Sequence, residues 1–279
     1  MTMYNSNDNA LNFSILTYNK IKEYIDIIKN DFKNFQIHEE KLHEIINILE
    51  CDTRSNVQKL ASQLANLVKS RITEIDRVQK MYSFDKQYLA NGYIAGVDEV
   101  GRGPLAGPIV AASVILDLNT SSDRDLLLGI KDSKKLTSKS REELSKFIKD
   151  KAISYKISLL DNTDIDNKGI SWCNNEAFKI AVRELSVKPD LVLSDGYPIK
   201  NFNIPNEYVI KGDEKSASIA CASIIAKVYR DNLMKEYAKL YPYYSFEVNS
   251  GYGTKDHIEA IKTYGPCKIH RLYFLKNII

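Results

Sequence analysis

The sequence predicts an α/β protein, a sheet covered by helices, that is preceded by a small module made of helices alone. Three observations support this fold class. Five short apolar runs have the length and composition of strands: residues 93–97, 109–116, 153–159, 191–193 and 207–210. Segments with a helical period alternate with these runs, as expected for a sheet flanked by helices. Between residues 16 and 80 only the helical period is found.

The length of 279 residues is enough for two compact units. We predict a helical N-terminal extension at 1–83 and an α/β domain at 84–279, with residues 81–91 as the connection. A net charge of +3 is too small to indicate a nucleic-acid partner by itself. No apolar run approaches the roughly 20 residues that a membrane-spanning helix needs, so no membrane association is predicted.

The cysteines indicate a reducing compartment. None of the four forms a C-x-x-C pair of the kind that binds zinc or carries redox chemistry, and they are far apart: Cys51, Cys173, Cys221 and Cys267. Reduced thiols are typical of cytosolic proteins. No basic leader followed by an apolar stretch opens the sequence, so no secretory signal is predicted. We therefore expect a cytoplasmic protein.

In the N-terminal extension, apolar residues recur at helical spacing behind a polar tail at 1–15. The spacing predicts helices around 21–28, 42–49 and 57–68, each with one apolar face. Acidic and basic residues are balanced there, so the segment is not a polybasic arm. Its role stays open between a docking or spacer bundle and an accessory substrate-binding domain.

Helices and strands then alternate along the α/β domain. Start and stop signals place the helices at 137–151, 174–185, 216–240 and 254–264. Gly265-Pro266 ends the last of these helices. An aromatic-rich loop is predicted at 241–252.

Three of the apolar runs end in acidic residues: Asp98-Glu99, Asp195 and Asp213. Acids at strand ends project from the sheet edge, where α/β folds place ligands. Clustered carboxylates repel one another unless a cation neutralises them, and Mg²⁺ and Mn²⁺ prefer such oxygen ligands. Because neighbouring strand residues point to opposite faces, Asp98 and Glu99 can act together only if the chain leaves strand geometry, which Gly101 favours. The alternative is that these are loop and cap carboxylates.

A glycine-rich turn follows the acidic pair. Gly101 and Gly103 flank Arg102 and leave the backbone open to close approach. Free amides and carbonyls there could pair with a 2′-hydroxyl, and Arg102 with a phosphate. Tyr252 lies between two glycines, so its ring is expected at an exposed loop tip, where it could stack on a base or sugar. The alternative is a tight turn and an ordinary surface tyrosine.

The stretch GVDEVGRGPLAGP at 96–108 resembles the signature of the ribonuclease HII family. The resemblance continues in the same order through DSKKL, LSDG, KGD, ASIIAKVYRD and GYGTKDH, and covers roughly 90–274. It implies the ribonuclease H fold, with a mixed sheet. It also implies that Asp98, Glu99, Asp195 and Asp213 are the catalytic acids and the ligands of Mg²⁺ or Mn²⁺.

The resemblance further implies that the glycine loop and Tyr252 recognise the junction between a ribonucleotide and the deoxyribonucleotide after it. Candidate phosphate contacts, whose alternative is a solvated surface, are Lys134, Lys135, Lys211, Ser223 and Lys227. Glu214 could replace Asp213 as a ligand. His257 and His270 are expected at a helix end or on the surface. Ser250 departs from the lysine that the family carries there, and the C-terminal segment after His270-Arg271 is also atypical.

By this resemblance the protein is an endoribonuclease, acting as a monomer on RNA–DNA hybrids and on DNA that contains ribonucleotides. It would cut on the 5′ side of a single ribonucleotide and leave a 3′-hydroxyl and a 5′-phosphate. Two alternatives stay open. The sister type, ribonuclease HIII, handles lone ribonucleotides poorly and carries a different N-terminal domain with strands. A non-catalytic duplex-binding protein would keep only a structural metal.

Overall fold

The computed structural model describes residues 13–88, 92–276 and 278. Residues 1–12 of the tail predicted at 1–15 lie outside the described residues, and so do residues 89–91 of the predicted connection. Phe13–Ile15 form a short 3-10 helix with Phe13 buried. The chain divides into two compact units, Met1–Asp76 and Arg77–Ile279. The predicted division after residue 83 stays a prediction.

The α-helices and strands follow one another in this order: α1 (Tyr18–Lys33), α2 (Glu39–Glu50), α3 (Ser55–Lys86), β1 (Ile94–Val100), β2 (Ile109–Ile115), α4 (Ser138–Lys151), β3 (Ser154–Leu160), α5 (Asn162–Lys168), α6 (Ile170–Arg183), β4 (Leu191–Asp195), β5 (Asn206–Val209), α7 (Gly212–Lys215), α8 (Ala217–Leu240), α9 (Phe246–Asn249), α10 (Lys255–Tyr264) and α11 (Leu272–Leu275). None of the described helices is long and apolar enough to cross a membrane.

The first unit packs α1, α2 and the first part of α3 around one apolar core. The predicted apolar faces are the ones that are buried: Ile21, Ile25 and Ile28 from α1, Leu42, Ile45, Ile46 and Leu49 from α2, and Val57, Leu60, Leu64 and Val68 from α3. Arg54 fixes the turn before α3, because it binds Asp52 and donates to the carbonyls of Leu16 and Phe13 at 2.7 and 2.9 Å. The helical module that the sequence predicts is therefore present.

Helix α3 runs on to Lys86, so the prediction of a connection beginning at residue 81 is wrong. The segment contains no glycine or proline to end the helix. Met81, Tyr82 and Asp85 are buried in the second unit. Packing of this last part of α3 keeps it helical. The apolar periodicity around 57–68 does not reveal this packing.

The second unit is built on a five-stranded mixed sheet in the order β3-β2-β1-β4-β5. Strand β1 pairs antiparallel with β2, and β2 antiparallel with β3. Strands β1, β4 and β5 run parallel to one another. The ends of β1, β4 and β5 consequently meet at one edge of the sheet, together with the acids in the last residues of β1 and β4 and the acid that follows β5.

Helices cover both faces of this sheet. On one face, Val97 and Ile109 pack against α6 through Ala177, Phe178 and other buried residues of the same core. On the other face, α8 crosses β1 so closely that a Cβ at Gly96 would overlap the backbone of Ser218. The small residues in the first half of α8 permit this approach.

Several predicted boundaries differ from the structure. Helix α6 begins at Ile170, four residues before the predicted start, and the short helix α5 is absent from the prediction. The predicted loop at 241–252 contains a 3-10 turn at Pro242–Tyr244 and the one-turn helix α9. The predictions for α4, α8 and α10 are confirmed to within one residue, with Thr137, Ser216 and Thr254 as their N-caps.

The contact between β1 and α8 predicts a stability effect at Gly96. We expect Gly96→Ala to lower the free energy of unfolding by roughly 1–3 kcal/mol, because the added methyl group must push backbone away from backbone. Urea denaturation measures this. The matched control is Gly103→Ala, where an added Cβ has open space around it. Equal stability of the two variants would show that α8 is free to move away from the sheet.

Candidate functional site

The register of the parallel strands brings two of the predicted acids side by side. Val97 pairs with Ser194, so Asp98 and Asp195 are the next residues on adjacent strands. Neighbouring strands lie about 4.8 Å apart. Asp213 enters from the first turn of α7, and the preceding amide, that of Gly212, donates to Asp195 Oδ1 at 2.6 Å. Three carboxylates from distant parts of the sequence are thus gathered at one edge.

Glu99 joins this group from a regular strand. The expectation that the chain leaves strand geometry at Asp98 and Glu99 is wrong, because the ladder with β2 continues to Val100. The cross-strand pairing outweighs the flexibility that Gly101 offers. Asp98 instead turns its carboxylate back along the chain, where Oδ1 accepts the Glu99 amide at 2.7 Å. Glu99 Oε1 lies 3.5 Å from an Arg102 guanidinium nitrogen.

Burial and mutual repulsion disfavour negative charge on these acids. Burial, then Glu99 and Asp195, raise the pKa of Asp98 well above its usual value. Burial raises the pKa of Glu99 to about 7, with Asp195 adding to the effect and Arg102 opposing it. The pKa values of Asp195 and Asp213 are also raised, chiefly by burial. Such a cluster is stable in its ionised form only when cations compensate it.

The cluster has the properties of a divalent-cation site. Glu99 Oε2 is buried and has no hydrogen-bond partner among the described residues. Within that same part of the chain, no group of three or more acidic, histidine or cysteine side chains is arranged so that it could hold a metal ion. Mg²⁺ can bind with fewer protein ligands, since it keeps several waters and takes one or two carboxylates. The hard oxygen donors and raised pKa values therefore fit Mg²⁺ or Mn²⁺.

Three of the candidate phosphate contacts surround the acids. Lys134 is exposed and opposes the pKa increase of both Asp195 and Asp213. Lys135 donates to Glu214 at 2.6 Å, which draws Glu214 toward a lysine. Lys211 is exposed in a left-handed conformation just before α7. These lysines make the rim of the acidic cluster basic.

The other two candidate contacts are more enclosed. The Ser223 hydroxyl is buried and donates to that of Ser133 at 3.1 Å, and its nearness lowers the pKa of Asp98 against the effect of burial. Lys227 donates to Asp231 at 2.7 Å one turn further along α8. Their assignment to phosphates stays a prediction. Ser223 has a role visible in the protein itself, which is to support Asp98.

A buried arginine holds the glycine loop, residues 101–108. The Arg271 guanidinium donates to the carbonyls of Gly101, Arg102 and Gly107 at 2.6, 3.0 and 2.9 Å. In a trans peptide the carbonyl and the following N–H point in opposite directions. The amides of Arg102 and Gly103 therefore point away from Arg271, as the sequence proposal of a backbone-reading loop requires.

A second buried arginine, Arg230 of α8, joins this loop to the Tyr252 turn. It donates to the carbonyls of Ala106 and Pro108 in the glycine loop, and to that of Ser250 at 2.9 Å. The ring of Tyr252 is exposed, as predicted. Sequence reasoning did not assign roles to Arg230 or Arg271. The signal was present for Arg230, which lies in a helix whose buried residues are otherwise small or apolar.

His257 lies in the first turn of α10, at a helix end as predicted, but neither histidine is on the surface, and the two are buried against each other. Their Nε2 atoms are 3.0 Å apart. His257 Nδ1–H donates to the Tyr252 carbonyl, so its Nε2 accepts from His270. His270 Nδ1 in turn accepts the Cys267 amide. Aromatic rings of Tyr244 and Phe246 enclose the pair, and this removes it from solvent.

Comparison with known families matches both units of the chain. The family model described as Ribonuclease HII matches residues 95–277. The model described as Ribonuclease HII N-terminal domain matches residues 24–89. The helical extension therefore matches a domain that is described for the same family as the second unit.

Curated relatives are similar over most of their length. A protein named Ribonuclease HII from Clostridium acetobutylicum is 62% identical over 237 residues, 85% of this chain and 91% of the relative. Another Ribonuclease HII, from Clostridium botulinum, is 56% identical over 271 residues, 97% of this chain and 100% of the relative.

Solved structures share the fold of the second unit. The ribonuclease H2 from Pyrococcus horikoshii has a TM-score of 0.57 and 30% identity, covering 67% of this chain and 96% of that one. The PCNA:RNase HII complex from Archaeoglobus fulgidus gives a TM-score of 0.53 and 28% identity, covering 64% and 94%. The ribonuclease H topology implied by the sequence resemblance is confirmed.

The histidine pair predicts sensitivity to acid. Burial, followed by the neighbouring His257, lowers the pKa of His270 to about 4. Because the pKa of His270 is lower in the folded than in the unfolded protein, the neutral side chain contributes its full stability above the unfolded pKa of about 6.5. This contribution is lost as the pH falls from 6.5 toward 4. We expect wild-type protein to lose on the order of 2 kcal/mol over this range from this group. His270→Gln should show a flatter stability profile in urea titrations from pH 7 to 4. Parallel profiles would contradict the buried neutral pair.

Proposed function

Since this chain belongs to the ribonuclease HII family and is a ribonuclease H, we propose that it cleaves the RNA strand of RNA–DNA hybrids and also cuts 5′ of single ribonucleotides embedded in duplex DNA. The observation that carries this proposal is the convergence of Asp98, Glu99, Asp195 and Asp213 beside a loop with outward amides. The four acids fit phosphodiester hydrolysis, and the outward amides of the loop fit recognition of a sugar hydroxyl.

The reaction is a hydrolysis. Water adds to the phosphorus, the bond to the 3′ oxygen breaks, and that oxygen takes up a proton. The products are a 3′-hydroxyl and a 5′-phosphate. Mg²⁺ or Mn²⁺, held by the four acids, would neutralise their charge and stabilise the charge that develops on the phosphate oxygens.

The chain's own residues bind and orient the nucleic acid. The amides of Arg102 and Gly103 are placed to meet the 2′-hydroxyl, the group that distinguishes RNA from DNA. Tyr252 offers an exposed ring to the sugar or base that follows. Lys134 and Lys211 on the rim are placed to contact backbone phosphates, which fix the position of a duplex without reading its sequence.

We place this activity in the cytoplasm and on a monomer. The four cysteines are free, which fits a reducing compartment.

The N-terminal unit matches the ribonuclease HII domain and is helical. Both features favour ribonuclease HII activity over that of the sister type, which has strands in that position. The role of the N-terminal unit stays open between spacing and substrate binding.

The test is cleavage of duplex DNA with one central ribonucleotide, alongside a long RNA–DNA hybrid and an all-DNA duplex. We expect incision 5′ of the ribonucleotide with Mg²⁺ or Mn²⁺ and none with EDTA. Asp98→Asn removes the negative charge that would hold the cation, so we expect kcat to fall by at least about 10³-fold. The same variant should unfold at an equal or higher temperature in EDTA, since it relieves repulsion in the cluster.

Other outcomes separate the alternatives. Cleavage of the hybrid alone would favour the sister activity, and binding without cleavage would favour a non-catalytic protein. Near-normal turnover by Asp98→Asn would exclude the carboxylate site.

The arginine under the glycine loop makes a further prediction. Arg271→Lys keeps a positive charge but cannot reach three carbonyls with one ammonium group. We expect kcat/KM to fall about tenfold or more on the single-ribonucleotide duplex and clearly less on the long hybrid, because the lone hydroxyl depends most on the loop. Arg183→Lys, on the surface of α6, is the control. Equal losses on both substrates would indicate general damage rather than loss of junction reading.

A further inference from the structure

A cavity with no role in the site described above lies between the first turn of α6 and the ends of β1 and β4. Its volume is about 190 Å³. Five of its lining residues are polar or aromatic groups able to bind a ligand: Arg102, Ser171, Asn174, Tyr197 and Lys200. Asn175, Phe178 and Pro198 complete the lining, so the described wall holds two cations and no acid.

The cavity is electropositive for two independent reasons. Helix α6 begins at Ile170 behind Gly169, and no side chain in the described part of the chain caps its first amides. These amides have no partner within the helix and carry the positive end of its dipole. The Arg102 guanidinium also faces the cavity, 4.9 Å from the centre of the exposed Tyr197 ring. Its ion pair with Glu99, at 3.5 Å, leaves other guanidinium donors available.

A buried polar group without a partner also lines this cavity. Asn174 is only 6% exposed, and its Oδ1 makes no hydrogen bond among the described residues. Buried polar side chains nearly always have partners, so this carboxamide is suited to a ligand. The oxygen and the NH₂ of the Asn174 side-chain amide are alike in size, so rotating this amide by half a turn exchanges them and directs the NH₂ into the cavity. Asn175 beside it, by contrast, is fully engaged with the backbone of Lys200.

We propose that this cavity binds one backbone phosphate of the nucleic acid, flanking the phosphate that is cleaved. The proposal rests on the proposed function. Arg102 connects the two places, because it contacts Glu99 on one side and lines the cavity on the other. With its carboxamide rotated by half a turn, Asn174 would donate its NH₂ to a phosphate here, which Lys200 and the α6 amides would also hold. Such a contact positions the substrate and adds no sequence preference.

The test combines variants with neutral linkages in the substrate. Lys200→Ala removes an exposed cation, and Asn174→Asp places a negative charge in the cavity at nearly constant size. Lys188→Ala, an exposed lysine beyond the other end of α6, is the control. We expect KM to rise about five- to tenfold for the first two variants with kcat within twofold. The slope of log KM against log salt should fall by about one for Lys200→Ala, the effect of one lost phosphate contact.

A methylphosphonate scan then identifies the phosphate. A single uncharged linkage at one position should raise KM for the wild type and leave KM for Lys200→Ala unchanged. The proposal is overturned if no position shows this loss of effect, or if both variants match Lys188→Ala. If the wild type does not cleave at all, the proposed function fails. Binding of the same modified duplexes in EDTA, followed by fluorescence anisotropy, then tests the cavity on its own.

Discussion

The concentration of negative charge at one edge of a buried sheet is the constraint on which the rest of the structure depends. Parallel pairing of β1 with β4 as far as Val97 and Ser194 places Asp98 next to Asp195. Pairing with β2 and β5 holds the backbones of the two acids in place. The surroundings compensate this charge in part. An amide from α7 binds Asp195, the Ser223 hydroxyl of α8 lowers the pKa of Asp98 against the effect of burial, and Arg102 approaches Glu99. The remaining excess of negative charge is what the proposed cation would neutralise.

The second half of the site uses buried charge of the opposite sign. Arg230 and Arg271 are fully buried, and both donate to backbone carbonyls. Burial, followed by the nearby Arg230, lowers the pKa of Arg271 to about 9. Six carbonyl bonds from two rigid forks hold the glycine loop and the Tyr252 turn in one conformation. Such a loop meets its ligand without first having to become ordered.

Strand periodicity allowed the strands and the acids at their ends to be predicted, and local glycine spacing the exposed ring of Tyr252, whereas the ribonuclease H topology and the grouping of the four acids were implied by the resemblance to a family. The sequence did not reveal that β1 stays regular through Glu99, because that depends on pairing with β2. The burial of His257 and His270 was also missed, since each is bound to residues that are distant in sequence or to backbone. The partners of Arg230 and Arg271 could not be predicted, because these partners are carbonyls, which every residue has, although the position of Arg230 among small and apolar residues indicates burial.

Asp85 sets a limit on how this protein can be divided. It lies on the last turn of α3, yet its carboxylate accepts both the amide and the hydroxyl of Ser218 at 2.9 Å, at the start of α8. Burial raises the pKa of this carboxyl to about 6. A fragment that starts after α3 would leave the front of the helix that carries Ser223 and Arg230 without its acceptor. Any natural or engineered protein that omits this turn must supply another oxygen at the same point.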